Sequence, residues 1–306
     1  MNQINRENKT ALAFLMPALV SVSLLTMLPV LYTIYLSFTN CNINHMNDYS
    51  FVGLYNYVEM LTGDMKTVFF PVFAWTAVFA GVTTVVGYAV GLLLALLLNN
   101  RFMRERNIYR TLLIIPWALP ATIATLSWKG LLNADYGGIN LMLKSLHIIN
   151  ESIPWLNEAY LARAAILLVS VWFAYPFMMN VSLGALQAIP ETFYEAADID
   201  GASRWVKFWR ITFPSLASST YPLLISSFAF NFNNFGAAFL ITGGGPAVIG
   251  QQYAGSTDIL ASTAYKMTVQ LFRYDFGGAL AVILFVVIAS ISLVQMKLSG
   301  QFKEVK

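Results

Sequence analysis

Six long stretches of this chain contain no Asp, Glu, Lys or Arg: Ala11–Ser37, Val72–Leu98, Thr111–Trp128, Ala164–Gln187, Ile211–Phe230 and Phe276–Met296. A helix of about 20 apolar residues crosses the hydrocarbon core of a bilayer. In lipid a lone segment satisfies its backbone polar groups only as a helix. These lengths exclude core strands, and apolarity on every face suits helices packed against lipid or one another. The expected fold class is therefore an all-α polytopic membrane protein with six transmembrane helices. Composition agrees: 58% of the 306 residues are hydrophobic and 11% charged, where soluble domains carry about a quarter charged.

The first stretch follows Arg6 and Lys9, the arrangement of a secretory signal. It is far longer than the roughly 7–15 apolar residues of such signals, and no small-x-small cleavage site follows. It is expected to be a retained anchor. Cys41 is the sole cysteine, which excludes an intrachain disulfide framework. His45 and His147, the two histidines, have no metal-ligand spacing, so neither a metal site nor catalytic residues are expected.

Basic residues set the expected orientation. With both termini inside, the inner segments hold twelve of the 18 Lys and Arg, including Arg104, Arg106 and Arg110 in the short RFMRERNIYR connection. The outer segments hold six. The expectation is a multi-pass protein of a bacterial cytoplasmic membrane. Residues 1–10 form a cytoplasmic N-terminus, 11–296 the six-helix domain with a cytoplasmic loop at 188–210, and 297–306 a cytoplasmic C-terminus.

That loop leads into the most specific pattern, EAADIDGASRWVKFWRITFP at Glu195–Pro214. Pro190 suits a helix start, Glu191 to Asp200 reads as a short helix, and Gly201 permits a chain reversal that other residues resist. A second short helix is expected over Ala202–Arg210. Ala196 and Ala197 allow close approach to a partner surface, while Glu195 and Asp198, one turn apart, offer carboxylates to it. Trp205, Phe208 and Trp209 are expected against membrane helices or headgroups. The plainer reading is an amphipathic connector.

The interval from Glu-Ala-Ala through Gly201 to Ile211-x-Phe213-Pro214 resembles the cytoplasmic loop of the membrane-spanning subunits of ATP-driven, binding-protein-dependent importers. Phe213 stands where Leu is usual. FAFNFNNFGAAFLITGGG (Phe228–Gly245), AGSTDILASTAYKMT (Ala254–Thr268), WFAYPFMMN (Trp172–Asn180), LQAIP (Leu186–Pro190) and IIPWALP (Ile114–Pro120) resemble the larger membrane subunit of maltose and maltodextrin importers. The resemblance covers about residues 70–296. The chain departs from the larger enteric form in lacking extra N-terminal helices and in its short first outer loop.

This resemblance implies the six-helix core of type I importers, with Glu195, Ala196, Ala197, Asp198 and Gly201 coupling it to an ATPase. It implies sugar contacts at Trp117, Ala121, Ser170, Trp172, Phe173, Ala174, Phe177, Asn231 and Asn234. Ser170 and Ala174 stand where the relatives have an amide and a glycine. Aromatic faces cover the apolar side of a pyranose, and amides serve its hydroxyls. Packing or interface anchoring explains single aromatics equally well. Asn231 and Asn234, three residues apart, are read as facing a polar cavity, with a helix–helix hydrogen bond as the competing reading.

The implied partners are a second, related membrane subunit, a dimer of ATP-binding subunits, an extracytoplasmic sugar-binding protein, an oligosaccharide and the lipid bilayer, with no nucleic acid. No glycine-rich loop ends in Lys-Ser or Lys-Thr, so the chain is expected to be no enzyme. It carries no cofactor of its own, with ATP and Mg on the partner ATPase. The expected cargo is maltose or malto-oligosaccharide, moved by alternating access. Another disaccharide, a cyclic glucan or a glycerol phosphate is the alternative. An ion-coupled carrier is disfavoured because no ionisable residue lies in the spans.

Overall fold

The computed structural model describes residues 2–100 and 102–298. Arg101 and the C-terminal tail expected beyond residue 298 lie outside the described residues. The elements are helical: α1 (Asn2–Val22), α2 (Leu28–Ser37), α3 (Tyr55–Thr62), α4 (Lys66–Leu98), α5 (Arg106–Leu113), α6 (Ile115–Ala118), α7 (Ala121–Leu131) and α8 (Gly138–Ser145). There follow α9 (Ala159–Gln187), α10 (Glu191–Ile199), α11 (Arg204–Lys207), α12 (Phe213–Phe232), α13 (Phe235–Thr242), α14 (Leu260–Tyr265) and α15 (Tyr274–Leu298). Extended pairing among the described residues amounts to isolated bridges such as Ala247 with Gly255.

Among the described residues, four segments are long and apolar enough to cross a membrane: Leu12–Ser37, Lys66–Leu98, Ala159–Gln187 and Tyr274–Lys297. The first joins α1 to α2 through a π-helical turn at Ser23–Met27. A fifth crossing requires Arg204–Phe232 and Phe235–Thr242, bent by 40° at their junction, to count as one broken span. The remaining expected stretch, Thr111–Trp128, is helical in pieces. Leu119 and Pro120 take extended ψ values of 144° and 115° between α6 and α7. Pro120 has no N–H for a continuing ladder and disfavours α geometry at Leu119.

By contacts the chain forms two units: residues up to Thr67 with Ala264–Phe285, and Val68–Thr263 with the segment from Val286. In the first, the buried Asn56 side chain donates to the carbonyls of Ser37 and Thr39 at 2.9 and 2.8 Å. The backbone N–H of Asp275 donates to the carbonyl of Cys41 at 3.0 Å. Arg273 forms a two-point ion pair with Asp275.

The second unit holds two apolar cores. One gathers Trp75 and Phe79 of α4, Ile166 and Val169 of α9, and Ala238 and Ile241 of α13. The other joins Leu92 and Ala95 of α4 to Met179 and Leu183 of α9 and Leu216 of α12. Between them α4 and α9 approach closely at Gly91, where an added Cβ would lie 2.7 Å from both the Met178 Cβ and the Met179 nitrogen. Gly87, one turn earlier, faces the Ala174 Cβ at a would-be 3.0 Å. Small residues four apart permit such contact between membrane helices, where dispersion rather than water exclusion drives association.

Candidate functional site

Two regions carry the functional residues expected from sequence: the 188–210 loop and the surroundings of α6, α7, α9 and the α12–α13 break.

In the loop, Pro190 sits one position outside the expected helix, as the extended cap (ψ 134°) of α10. Asp200 is the C-terminal cap rather than a helical residue. The chain then reverses at Gly201, whose φ of +70° is left-handed. The Gly201 N–H donates to the Asp198 carbonyl at 3.1 Å and the Ala202 N–H to the Ala197 carbonyl at 2.9 Å. This double closure satisfies the final carbonyls of a helix and requires a left-handed residue, which glycine supplies without a Cβ penalty. Ser203 caps α11 by accepting from the Val206 N–H.

The second helix is shorter than expected. Only Arg204–Lys207 is α-helical, and Phe208–Thr212 forms a π-helical turn that runs into α12. Two contacts brace the reversal. Lys207 pairs with Asp198 at 2.7 Å, and the Tyr194 and Thr212 hydroxyls share a hydrogen bond at 2.9 Å. Asp198 thus spends one carboxylate oxygen inside the loop. Glu195 and Ala196 are exposed and Ala197 half-buried. Phe193 and Ile199, 55% and 88% exposed, flank Ala196 at three-residue intervals, so α10 presents an apolar ridge with small residues at its middle. Trp205 is 70% exposed. Its ring packs edge-on to Trp209 at 5.7 Å rather than against a long helix.

The other region is less uniform. Trp117 in α6 and Phe177 in α9 are both exposed, with ring centroids 6.4 Å apart. Trp172 lies between Phe173 at 5.0 Å and Trp128 at 5.5 Å, all edge-on, and Phe173 leans on the first core. Ala121 is exposed at the start of α7. Ser170 is buried, and its hydroxyl lacks a hydrogen-bond partner among the described residues. Ala174 turns its Cβ toward Gly87 of α4.

Asn231 is buried in α12 and donates to the Thr84 hydroxyl of α4 at 3.1 Å, the helix–helix bond that competed with the cavity reading. The premise of a shared helical face also fails. α12 ends at Phe232, and Asn234 is the cap that opens α13 (ψ 74°). Consecutive Asn side chains compete for local backbone groups and so favour a break there.

Sequence reasoning missed a network behind α13. Arg163 donates to the Ser256 carbonyl at 2.7 Å and lies 4.6 Å over the Trp75 ring. Trp75 donates to the Thr257 carbonyl, and the Thr76 hydroxyl accepts from the Leu260 N–H. The Gly243–Pro246 turn is tied to it through Thr257, which donates to the Gly245 carbonyl at 2.6 Å. Partners this distant in sequence leave no local spacing to read.

Comparison with known proteins places this geometry. Residues 87–299 match the family described as binding-protein-dependent transport system inner membrane components. The chain belongs to that family. It is 37% identical over 292 residues to the galactooligosaccharides transport system permease protein GanP of Bacillus subtilis, covering 94% of this chain and 69% of that one. It is 40% identical over 253 residues to the maltose/maltodextrin transport system permease protein MalF of Vibrio parahaemolyticus. That match covers 81% of this chain and 48% of the relative, so the chain spans about half the length of that protein. Among solved structures, a bacterial ABC transporter involved in alginate import superposes with a TM-score of 0.79 over 98% of both chains, at 21% identity. That likeness concerns the fold. The relatives are permease subunits, and this chain, helical with four to five candidate spans among the described residues, is a membrane component of such a system.

Proposed function

We propose that this chain is one of two membrane subunits of an ATP-driven importer for neutral oligosaccharides, with maltose and malto-oligosaccharides as cargo. The observation that carries the reading is the loop after α9: an exposed, small-centred helix braced by Lys207, Tyr194 and the Gly201 reversal, in a chain related to sugar permeases. The uneven distribution of basic residues supports a cytoplasmic position for this loop and both termini.

In this proposal α10 docks on one of two ATP-binding subunits, with Glu195 and Asp198 meeting basic groups there. Closure of those subunits on ATP and Mg pushes α10, and the short path through α11 into α12 carries the displacement to the bundle. The broken Thr111–Trp128 stretch supplies this chain's sixth crossing, and a second, related membrane subunit completes the sugar path. A sugar-binding protein delivers cargo from outside. Trp117, Trp172, Phe173 and Phe177 offer ring faces to a pyranose, and Asn234, Ser170 and Ala121 border the path. Asn231 acts there only if it gives up Thr84.

A galactooligosaccharide is the second reading, favoured by the 37% identity to GanP across 94% of this chain. Reconstituted complex given labelled maltotriose or a galactotriose separates the two. Gly201→Asp is expected to assemble while losing sugar-stimulated ATP hydrolysis. Full stimulation in that variant contradicts the coupling role.

A further inference from the structure

We infer that a cleft between α5 and the ends of α4 and α9 binds the phosphate of an anionic lipid headgroup. The inference rests on the membrane reading of the spans, and neither the cargo nor the coupling role enters it. The cleft is lined by Leu98, Arg106, Asn107, Arg110, Leu183 and Gln187 and encloses about 50 Å³. That small space suits a group the size of a phosphate. Leu98 and Gln187 are the last residues of α4 and α9, so the cleft opens at the depth where hydrocarbon gives way to headgroups.

The chemistry of the lining fits an anion. Arg106 and Arg110 stand one turn apart on α5 and face the same side. The plane of Arg110 is fixed because its Nε and Nη2 both donate to the Asn180 side-chain oxygen, at 3.3 and 3.2 Å. Asn180 is held in turn by donating to the Pro176 carbonyl at 3.0 Å. A guanidinium oriented in this way keeps donors directed into the cleft and suits two-point contact with phosphate oxygens. The amides of Asn107 and Gln187 add donors. The opposite face of α5 exposes Ile108, Tyr109 and Leu112, and Phe102 just before it is exposed too. A short helix with cationic and apolar faces lies in the membrane interface, its apolar side among acyl chains. Basic clefts between membrane helices at this level hold anionic headgroups.

The test titrates the intact, detergent-purified transporter with phosphatidylglycerol or phosphatidylcholine and reads bound lipid by native mass spectrometry. Phosphatidylglycerol is expected to saturate at about fivefold lower concentration, the effect of roughly one basic side chain. Arg106→Gln, which leaves the Arg110–Asn180 contact in place, should remove that preference without altering the melting temperature. Arg104→Gln, an equal charge change outside the cleft lining, should keep it. Retention of phosphatidylglycerol in the presence of millimolar inorganic phosphate assigns the lipid as the source; displacement assigns a free phosphate in the same cleft. Equal binding of the two lipids, or equal effects of the Arg106 and Arg104 variants, overturns the site.

Discussion

Replacing Gly201 tests the loop geometry most cleanly, because backbone conformation and side-chain room can be separated there. Its φ is +70°, and a Cβ built at this position meets nothing within 4 Å. The penalty for another residue is therefore conformational: about 1–2 kcal/mol for holding an L-residue in the left-handed region. That converts to roughly a 5- to 30-fold increase in local opening. The Gly201 and Ala202 amides report it directly, since they donate to the Asp198 and Ala197 carbonyls. Hydrogen exchange measured by mass spectrometry over this loop should accelerate by that factor in Gly201→Ala. Gly201→Leu should match Ala because the space is open, and Gly201→Asn should lie nearer the parent because Asn tolerates this region. Unchanged protection in Gly201→Ala, or a far larger effect for Leu than Ala, refutes the reasoning.

Four further outcomes are expected. Gly91→Ala drives a Cβ to 2.7 Å from the Met179 nitrogen and should destabilise by about 1–3 kcal/mol. Gly184→Ala, whose Cβ meets nothing within 4 Å, should stabilise α9 by about 0.5–1 kcal/mol; thermal melts in detergent read both. Asn231→Ala and Thr84→Val should each lose the shared bond, so a double-mutant cycle on stability should show coupling of about 0.6 kcal/mol, whereas additivity denies the contact. Burial, with the Asp275 carboxylate adding to it, pushes the Cys41 thiol above its usual range. Thiolate is therefore scarce at neutral pH, and maleimide labelling should run slower than in unfolded chain and rise with pH past the ordinary thiol range.

Much of this architecture was legible because lipid imposes a simple constraint. Charge-free stretches announced α4, α9, α12 and α15 within a few residues of their ends, and Gly201 announced the reversal before its φ was known. Thr111–Trp128 read as one apolar stretch, whereas the extended Leu119–Pro120 pair divides it between α6 and α7. Asn231 and Asn234 read as one polar helical face, yet α12 ends at Phe232 and Asn234 is the cap of α13. Ala174 matched a sugar-contact position by alignment with a motif, yet its Cβ direction depended on how closely Gly87 lets α4 approach. Arg163 lies in none of the motifs read from sequence. Its carbonyl and aromatic partners, Ser256 and Trp75, come from segments that the fold alone brings together.

The side of the membrane on which α10 lies, and what it touches, is the most direct measurement. Cys41 is the single cysteine, so Cys41→Ser gives a clean background for Ile199→Cys at a position 88% exposed. The account predicts that an impermeant thiol reagent labels this cysteine in inverted vesicles but not in intact cells, and that a short bifunctional reagent joins it to an ATP-binding subunit. Labelling in intact cells, with no cross-link to an ATPase, would contradict it.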